Sequence, residues 1–400
     1  MQPRRPAPTP WNGSGPFLIA SASLVLVFAV SGAPIPLFSL YRAEDGVTDT
    51  QLGWVSVAYF LSAATALLVL GRLSNYLGRR PVAVCALVCA MLSCLILAVA
   101  KGAFSLSVAR VLQGMACGIA STALGSYVVD TAPSRARWLP AAITGSSPMV
   151  GISLGALASG ILAEYGPAPR SFVHLALAGL ACLSMALLLA SPETVASKRG
   201  VLASLRPRLE IPNDAGRRLT VAGAAFVATW SFGGFYQAFG ASVTTDYLGT
   251  RSPLLVAIVF SSILVLNPFG SPLAGRLSTV SGIRGGLTVF SLAVLAIMFG
   301  FYLGAVEIVV SASLVVGLAQ GVASTCAIRS LLLGVRQDER AGLLSTIYLI
   351  SYAGAAIPAL VAGPLARHVE LMDIATGYAA LALAASALSI VMVRSSAEGR

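Results

Sequence analysis

The sequence predicts an all-α membrane protein of twelve transmembrane helices arranged as two pseudo-symmetric six-helix bundles. Three observations carry this prediction. The 400 residues are 57% hydrophobic and only 10% charged, whereas soluble domains carry about 25% charged residues. Apolar stretches of about 20 residues, the length a helix needs to cross a bilayer, recur twelve times along the chain. The basic residues concentrate in every second connecting segment. Such a composition excludes a disordered chain and leaves a cytosolic enzyme too little polar surface to face water.

The predicted spans of the first half are 16–41, 53–71, 81–100, 104–129, 141–162 and 172–190. The first follows Arg4 and Arg5 but exceeds the apolar core of a cleaved signal peptide, so it reads as a retained helix. The second half supplies 219–241, 253–274, 286–305, 308–328, 343–366 and 374–393. Only a helix satisfies its own backbone in lipid, and the alternation of barrel strands is absent. Pro34, Pro36, Pro148, Asn267-Pro268 and Pro358 fall inside spans and predict kinks. Trp11, Trp54 and Trp138 sit near span ends, where indoles favour the interface, while Trp230 lies mid-span.

The polar segment 191–218 carries six basic residues against Glu193, Glu210 and Asp214. It is expected to be a cytoplasmic linker between an amino-terminal bundle, 1–190, and a carboxy-terminal bundle, 219–400. With both termini inside, the inner segments hold 20 of the 26 basic residues. The formal net charge of +11 is therefore a topology signal rather than a sign of nucleic-acid binding. The six cysteines lie in apolar segments without the spacing of a metal site and read as small packing residues.

The halves repeat each other. Gly71-Arg72-Leu73-Ser74, with Gly78 and Arg80, recurs 204 residues on as Gly275-Arg276-Leu277-Ser278, with Gly282 and Arg284. Gln113-Gly114-Met115-Ala116 recurs 207 residues on as Gln320-Gly321-Val322-Ala323. Parallel six-helix repeats build carriers that rock about a site at mid-membrane.

These motifs resemble those of the major facilitator superfamily. Gly71-Arg72-Leu73-Ser74-Asn75-Tyr76-Leu77-Gly78-Arg79-Arg80 is similar to the family's loop signature between helices two and three. Arg110-Val111-Leu112-Gln113-Gly114 resembles its helix-four signature, and 151–160 loosely resembles the helix-five signature of its antiporters. Asn75 stands where the family has Asp; Ala156 and Ser159 replace a Pro and a Gly of the antiporter motif. The resemblance implies a conformational latch at Gly71, Asn75, Gly78, Arg79, Arg80 and Asp130, repeated at Gly275, Arg276 and Arg284, with Arg79 and Asp130 matching a paired arginine and acid. It also implies a small-molecule substrate, protons as the candidate coupling ion, and a monomer in a bacterial plasma membrane.

The polar residues within spans are few. Arg110, Gln113, Cys117 and Ser121 share one face of helix four, and Gln320 and Ser324 repeat the stripe in helix ten. A charge inside a span is costly and usually faces a cavity or a partner, so Arg110 leads the expected substrate cavity. Gln113, Trp230, Tyr236, Gln237, Gln320 and Ser324 complete it; the alternatives are a purely structural bond of Arg110 to backbone carbonyls, a helix-joining role for Gln113 and Gln320, and a core role for Trp230. None of the 15 acidic residues falls mid-span, which leaves the coupling ion open. His174 is the one group within a span that titrates near neutral pH. No phosphate-binding loop, zinc spacing or serine–histidine arrangement occurs, so neither an enzyme nor a cofactor is expected. The expected function is a secondary transporter, most simply an exporter of a small amphipathic or hydrophobic compound. The alternatives are uptake of a nutrient or organic anion with Arg110 as its contact, and a non-transporting scaffold or channel.

Overall fold

Caps and prolines set the helix ends. At the start of the second span, Gln51 N–H donates to Thr48 Oγ1 (3.3 Å) and Thr48 N–H donates to Gln51 Oε1 (2.9 Å), which satisfies two of the donors a helix start leaves over. Ser252 and Ser278 cap the eighth and ninth spans through their hydroxyls. Pro16, Pro140 and Pro253 occupy first turns, where a missing N–H costs nothing.

The computed structural model describes residues 14–133, 138–206, 216–333, 335–336 and 340–393. Among the described residues, twelve helical crossings are long and apolar enough to span a membrane. In the first half they are Gly15–Gly32, Asp49–Leu70, Arg79–Ala98, Gly102–Asp130, Leu139–Tyr165 and Phe172–Ala190. In the second they are Gly216–Tyr247, the pair Pro253–Val265 and Asn267–Ala274, Thr279–Leu303, Val306–Leu331, Arg340–Leu365 and Leu371–Met392. Trp11, both chain ends with Arg4, Arg5, Arg394 and Arg400, the loop residues Arg135 and Arg137, and the middle of the linker lie outside the described residues.

The first span departs from expectation. Instead of running unbroken over 16–41, its helix ends at Gly32 and resumes as Phe38–Asp45. Pro34 has no N–H to offer the Val30 carbonyl, and Ile35 N–H turns to Gly32 O instead (3.2 Å). The eighth span is interrupted at Leu266, just before Asn267-Pro268. By contrast, Pro148 and Pro358 remain inside continuous helices.

The packing repeats between halves. The second span packs on the fourth as the eighth does on the tenth; the first packs on the fifth as the seventh does on the eleventh. Between halves, the fifth meets the eighth and the second meets the eleventh, two contacts that a six-helix shift exchanges. Close approach rests on equivalent glycines. Gly114 and Gly118 lie against the backbone of Tyr59 and Ala63, and Gly317 and Gly321 against that of Ile263 and Asn267, where a Cβ would collide. Without a hydrophobic drive between helices in lipid, such backbone contacts supply much of the attraction.

The helices end on two faces. One, here the linker face, carries residues 191–206 and the loop of the repeated glycine–arginine motif; the other is the distal face. An even number of crossings returns the chain to the linker face. Trp54 and Trp138 lie exposed near helix ends, as amphipathic rings at an interface should.

Candidate functional site

The break in the first span builds the centre of the molecule. A helix end leaves carbonyls without partners, and with Pro34 in place Val30 O and Ser31 O are among them. Gln113 Nε2 donates to Val30 O (2.8 Å), and Arg110 Nη1 donates to Ser31 O (2.9 Å). Arg110 Nη1 also donates to Gln113 Oε1 (3.0 Å), so residues one turn apart on the fourth span brace each other. From the other half, Gln237 Oε1 accepts from Arg110 Nη2 at 3.1 Å. The guanidinium carbon lies 4.1 Å from the centre of the Tyr59 ring, a distance at which the ring's negative face attracts a cation.

Arg110 is fully buried, and its Nε has no hydrogen-bond partner. The ion pairs among the described residues involve Arg42, Arg79 and Arg170, not Arg110. Its positive charge is thus met by carbonyl dipoles, amide oxygens and one π-face, with no carboxylate.

The structure brings three expected cavity residues, Arg110, Gln113 and Gln237, into one hydrogen-bonded cluster. Trp230, two turns before Gln237, is half-buried, and its ring meets that of Tyr352 edge-on at 5.0 Å. Tyr236 is placed elsewhere: it is fully buried among Phe232 and Phe235, and its hydroxyl shares a hydrogen bond with Ser313 (2.9 Å). Gln320 is buried and Ser324 half-buried, neither bonded to the Arg110 cluster. On the fourth span Cys117 is buried, while Ser121, one turn nearer the linker face, is exposed. Ser121 lines a cavity that opens at that side.

At the distal face the halves are clamped. Arg42 donates to both carboxylate oxygens of Asp246 (3.2 and 3.1 Å) and to Asp49 Oδ2 (3.3 Å), and Ser242 Oγ donates to Asp49 Oδ1 (2.5 Å). A second clamp has Ser252 Oγ donating to Glu164 Oε2 (2.8 Å). Between the second and eleventh spans, Gly53 sits so near Gly363 that a Cβ on Gly53 would fall 2.9 Å from the Gly363 Cα. A vestibule of about 1180 Å³ lies at this face, walled by Arg42, Asp49 and Asp246. Beside it Arg170 ties Glu44 (2.7 Å) and Asp45 together, and its hydrogen bond to Asp45 holds that carboxyl below the usual carboxylate range.

At the linker face the motif residues bond within their own halves. Arg79 Nε donates to Asp130 Oδ2 (3.1 Å), and its Nη1 donates to Ser74 Oγ (2.8 Å) and Asn75 Oδ1 (2.7 Å). The Asn75 side-chain oxygen, where the family has a carboxylate, is thus taken up by Arg79. Gly78 takes φ 105°, a left-handed backbone that favours glycine, and turns the chain into the third span. There Arg79 N–H (2.8 Å) and Arg80 N–H (3.0 Å) both donate to the carboxylate of Glu193, a negative charge where the helix dipole is positive. Arg80 Nη1 reaches Leu189 O and Ser191 O. In the second half Arg284 donates to Val393 O (3.0 Å), and Gly275 and Arg276 lie at the end of Asn267–Ala274. A cavity of about 370 Å³ opens beside Ser121, lined by Arg79, Gly125, Asp130 and Thr144.

Sequence reasoning missed Glu193, Tyr59, the freed carbonyls and the distal clamp. One signal for the clamp was present: Arg42 and Asp246 are 204 residues apart, the offset of the repeated loop motif.

Comparison with known proteins follows the same lines. A family model described as Major Facilitator Superfamily matches residues 20–359. The chain is similar to an uncharacterized MFS-type transporter, Rv1877, of Mycobacterium tuberculosis, 25% identical over 320 residues, 75% of this chain and 44% of that protein. The chain thus spans less than half the length of that relative. It is 32% identical to the puromycin resistance protein of Streptomyces alboniger over 160 residues, 40% of this chain and 31% of that protein. Among solved structures, a D-xylose-proton symporter superposes with a TM-score of 0.72 at 16% identity, covering 95% of this chain and 98% of the other; this likeness speaks to the fold.

Proposed function

The chain belongs to the major facilitator superfamily, and on that premise we propose that it exports a small amphipathic compound across a bacterial plasma membrane by alternating access. Secondary transport is the family's activity; direction and solute are our reading. In this reading the linker face is cytoplasmic, which the distribution of basic residues supports. Residues 1–190 and 219–400 rock against each other, with 191–218 joining them. The conformation described is closed at the distal face and approached from the cytoplasm.

One observation carries this reading. A charged side chain, Arg110, bridges the two halves to Gln237 at mid-membrane, while the clamps between halves lie beyond it at the distal face. A site at the joint between two rocking bodies is where a carrier exposes its solute to each side in turn. The names of relatives that confer drug resistance, such as the puromycin resistance protein, support export. Protons remain the candidate coupling ion, and the carrier works as a monomer.

The test is counterflow in proteoliposomes, with and without a pH gradient. A carrier gives saturable flux that rises when unlabelled solute is present on the opposite side. Flux linear in concentration would mark a channel and remove the alternating-access reading.

A further inference from the structure

Arg110 is fully buried and takes part in none of the ion pairs among the described residues. A guanidinium keeps its charge in a protein, and burying one without a counter-charge is expensive. The acidic side chains that form ion pairs lie at the two faces. Nothing in the chain's own centre supplies the missing negative charge among the described residues.

The donors of Arg110 show where a partner would bind. Nη1 is fully used by Ser31 O and Gln113 Oε1. Nε is unpartnered, and the adjacent Nη2 holds only Gln237 Oε1, across the joint between halves. The free edge is therefore Nε with Nη2, two parallel N–H groups that match the two oxygens of a carboxylate. From Gln237 to Trp230 is seven residues, about 10 Å along a helix, and Trp230 with Tyr352 offers aromatic surface toward the cytoplasmic side.

We propose that the transported solute is an amphipathic organic monoanion whose carboxylate takes the Nε–Nη2 edge of Arg110 and displaces Gln237, breaking the bond that joins the halves at mid-membrane. Its apolar body, about the length of an arylalkanoic acid, lies against Trp230 and Tyr352. Gln237 is then a placeholder: it satisfies Nη2 while the site is empty and gives way to a stronger, charged acceptor. This rests on the reading of Arg110 as part of the transport site.

The probe is a matched series of 4-phenylbutyrate, 4-phenylbutyramide and 4-phenylbutylamine, titrated by calorimetry into the purified full-length protein. The carboxylate should bind at least tenfold more tightly than the amide or the amine. Arg110→Gln should erase that preference. Gln237→Ala should tighten carboxylate binding severalfold and leave the amide within twofold. Gln237→Glu supplies a fixed internal carboxylate, so it should raise thermal stability and weaken the carboxylate at least tenfold. This variant keeps the test decisive if Arg110→Gln does not fold. Equal binding of the three probes, preference for the amine, no binding of the carboxylate, or a carboxylate preference that survives Arg110→Gln would each overturn the proposal. Saturable counterflow of neutral or cationic amphiphiles alone would remove the anion and leave the transporter standing. Binding of the carboxylate without any counterflow would support the site and count against the transport reading.

Discussion

At the distal face Arg42 crosses from the first half to Asp246 in the second, Ser252 reaches Glu164, and Gly53 touches Gly363. At the linker face Arg79, Arg80 and Arg284 make bonds of similar length, yet each stays within its own half. Both faces are rich in charge, so charge alone does not decide which is closed. The difference lies in what the charges are joined to. Distal groups sit on helix ends that face the opposite bundle, whereas the Gly78 turn and Glu193 fold the linker-face arginines back onto their own. Two regions with the same chemistry therefore differ: in this conformation the distal groups join the halves and the motif arginines do not.

This contrast can be broken most forcibly at Gly53. A Gly53→Leu side chain has no room against Gly363 and should wedge the distal face open, lowering transport by at least tenfold. Hydrogen exchange should rise at 48–52 and 359–366 with the rest of the fold retained; unchanged exchange and transport would show that close approach is not what closes this face. Next comes Arg79→Ala, which removes the bonds to Asp130, Ser74 and Asn75. Transport should fall severalfold while expression and thermal stability persist, and wild-type transport would eliminate the latch.

A smaller effect is expected at the clamp. Arg42 and Asp246 are partly exposed, and such pairs contribute about 0.2–1 kcal/mol. Asp246→Asn should therefore shift the balance between states by no more than about fivefold, and Arg42→Gln combined with it should cost less than the two variants summed in a double-mutant cycle. Strict additivity would mean that the pair is incidental. The slightest effect is at Asp45, whose carboxyl is held low by its hydrogen bond to Arg170. Its stabilisation is complete above the ordinary carboxylate range and is lost as pH falls through the lowered value. Asp45→Asn should lower the melting temperature slightly at pH 7 and flatten the acid limb of the profile, the two proteins converging as pH falls through the lowered value.

Most of the fold was legible because lipid imposes one rule on every span. The twelve crossings followed from length and apolarity, and the duplication from Gly71 and Gly275 with their neighbours. The site was legible in part. Arg110 stood out because a mid-span charge is rare, and Gln113 because it sits one turn further along the same face. Their partners were not, since which carbonyls Pro34 frees and where Tyr59 turns its ring depend on how the first, second and fourth helices meet. Tyr236 shows the converse: one residue before Gln237, it points to a different face and spends its hydroxyl on Ser313. Glu193 was hidden in a segment that read only as a connector, because nothing local marks an acid that will cap a helix more than a hundred residues away.

The Arg42–Asp246 bridge also bears on symmetry. The two residues are 204 positions apart, the offset of the repeated loop motif, and they bear opposite charges. Two identical halves would set like charges against each other here, so this seal requires halves that differ in sequence.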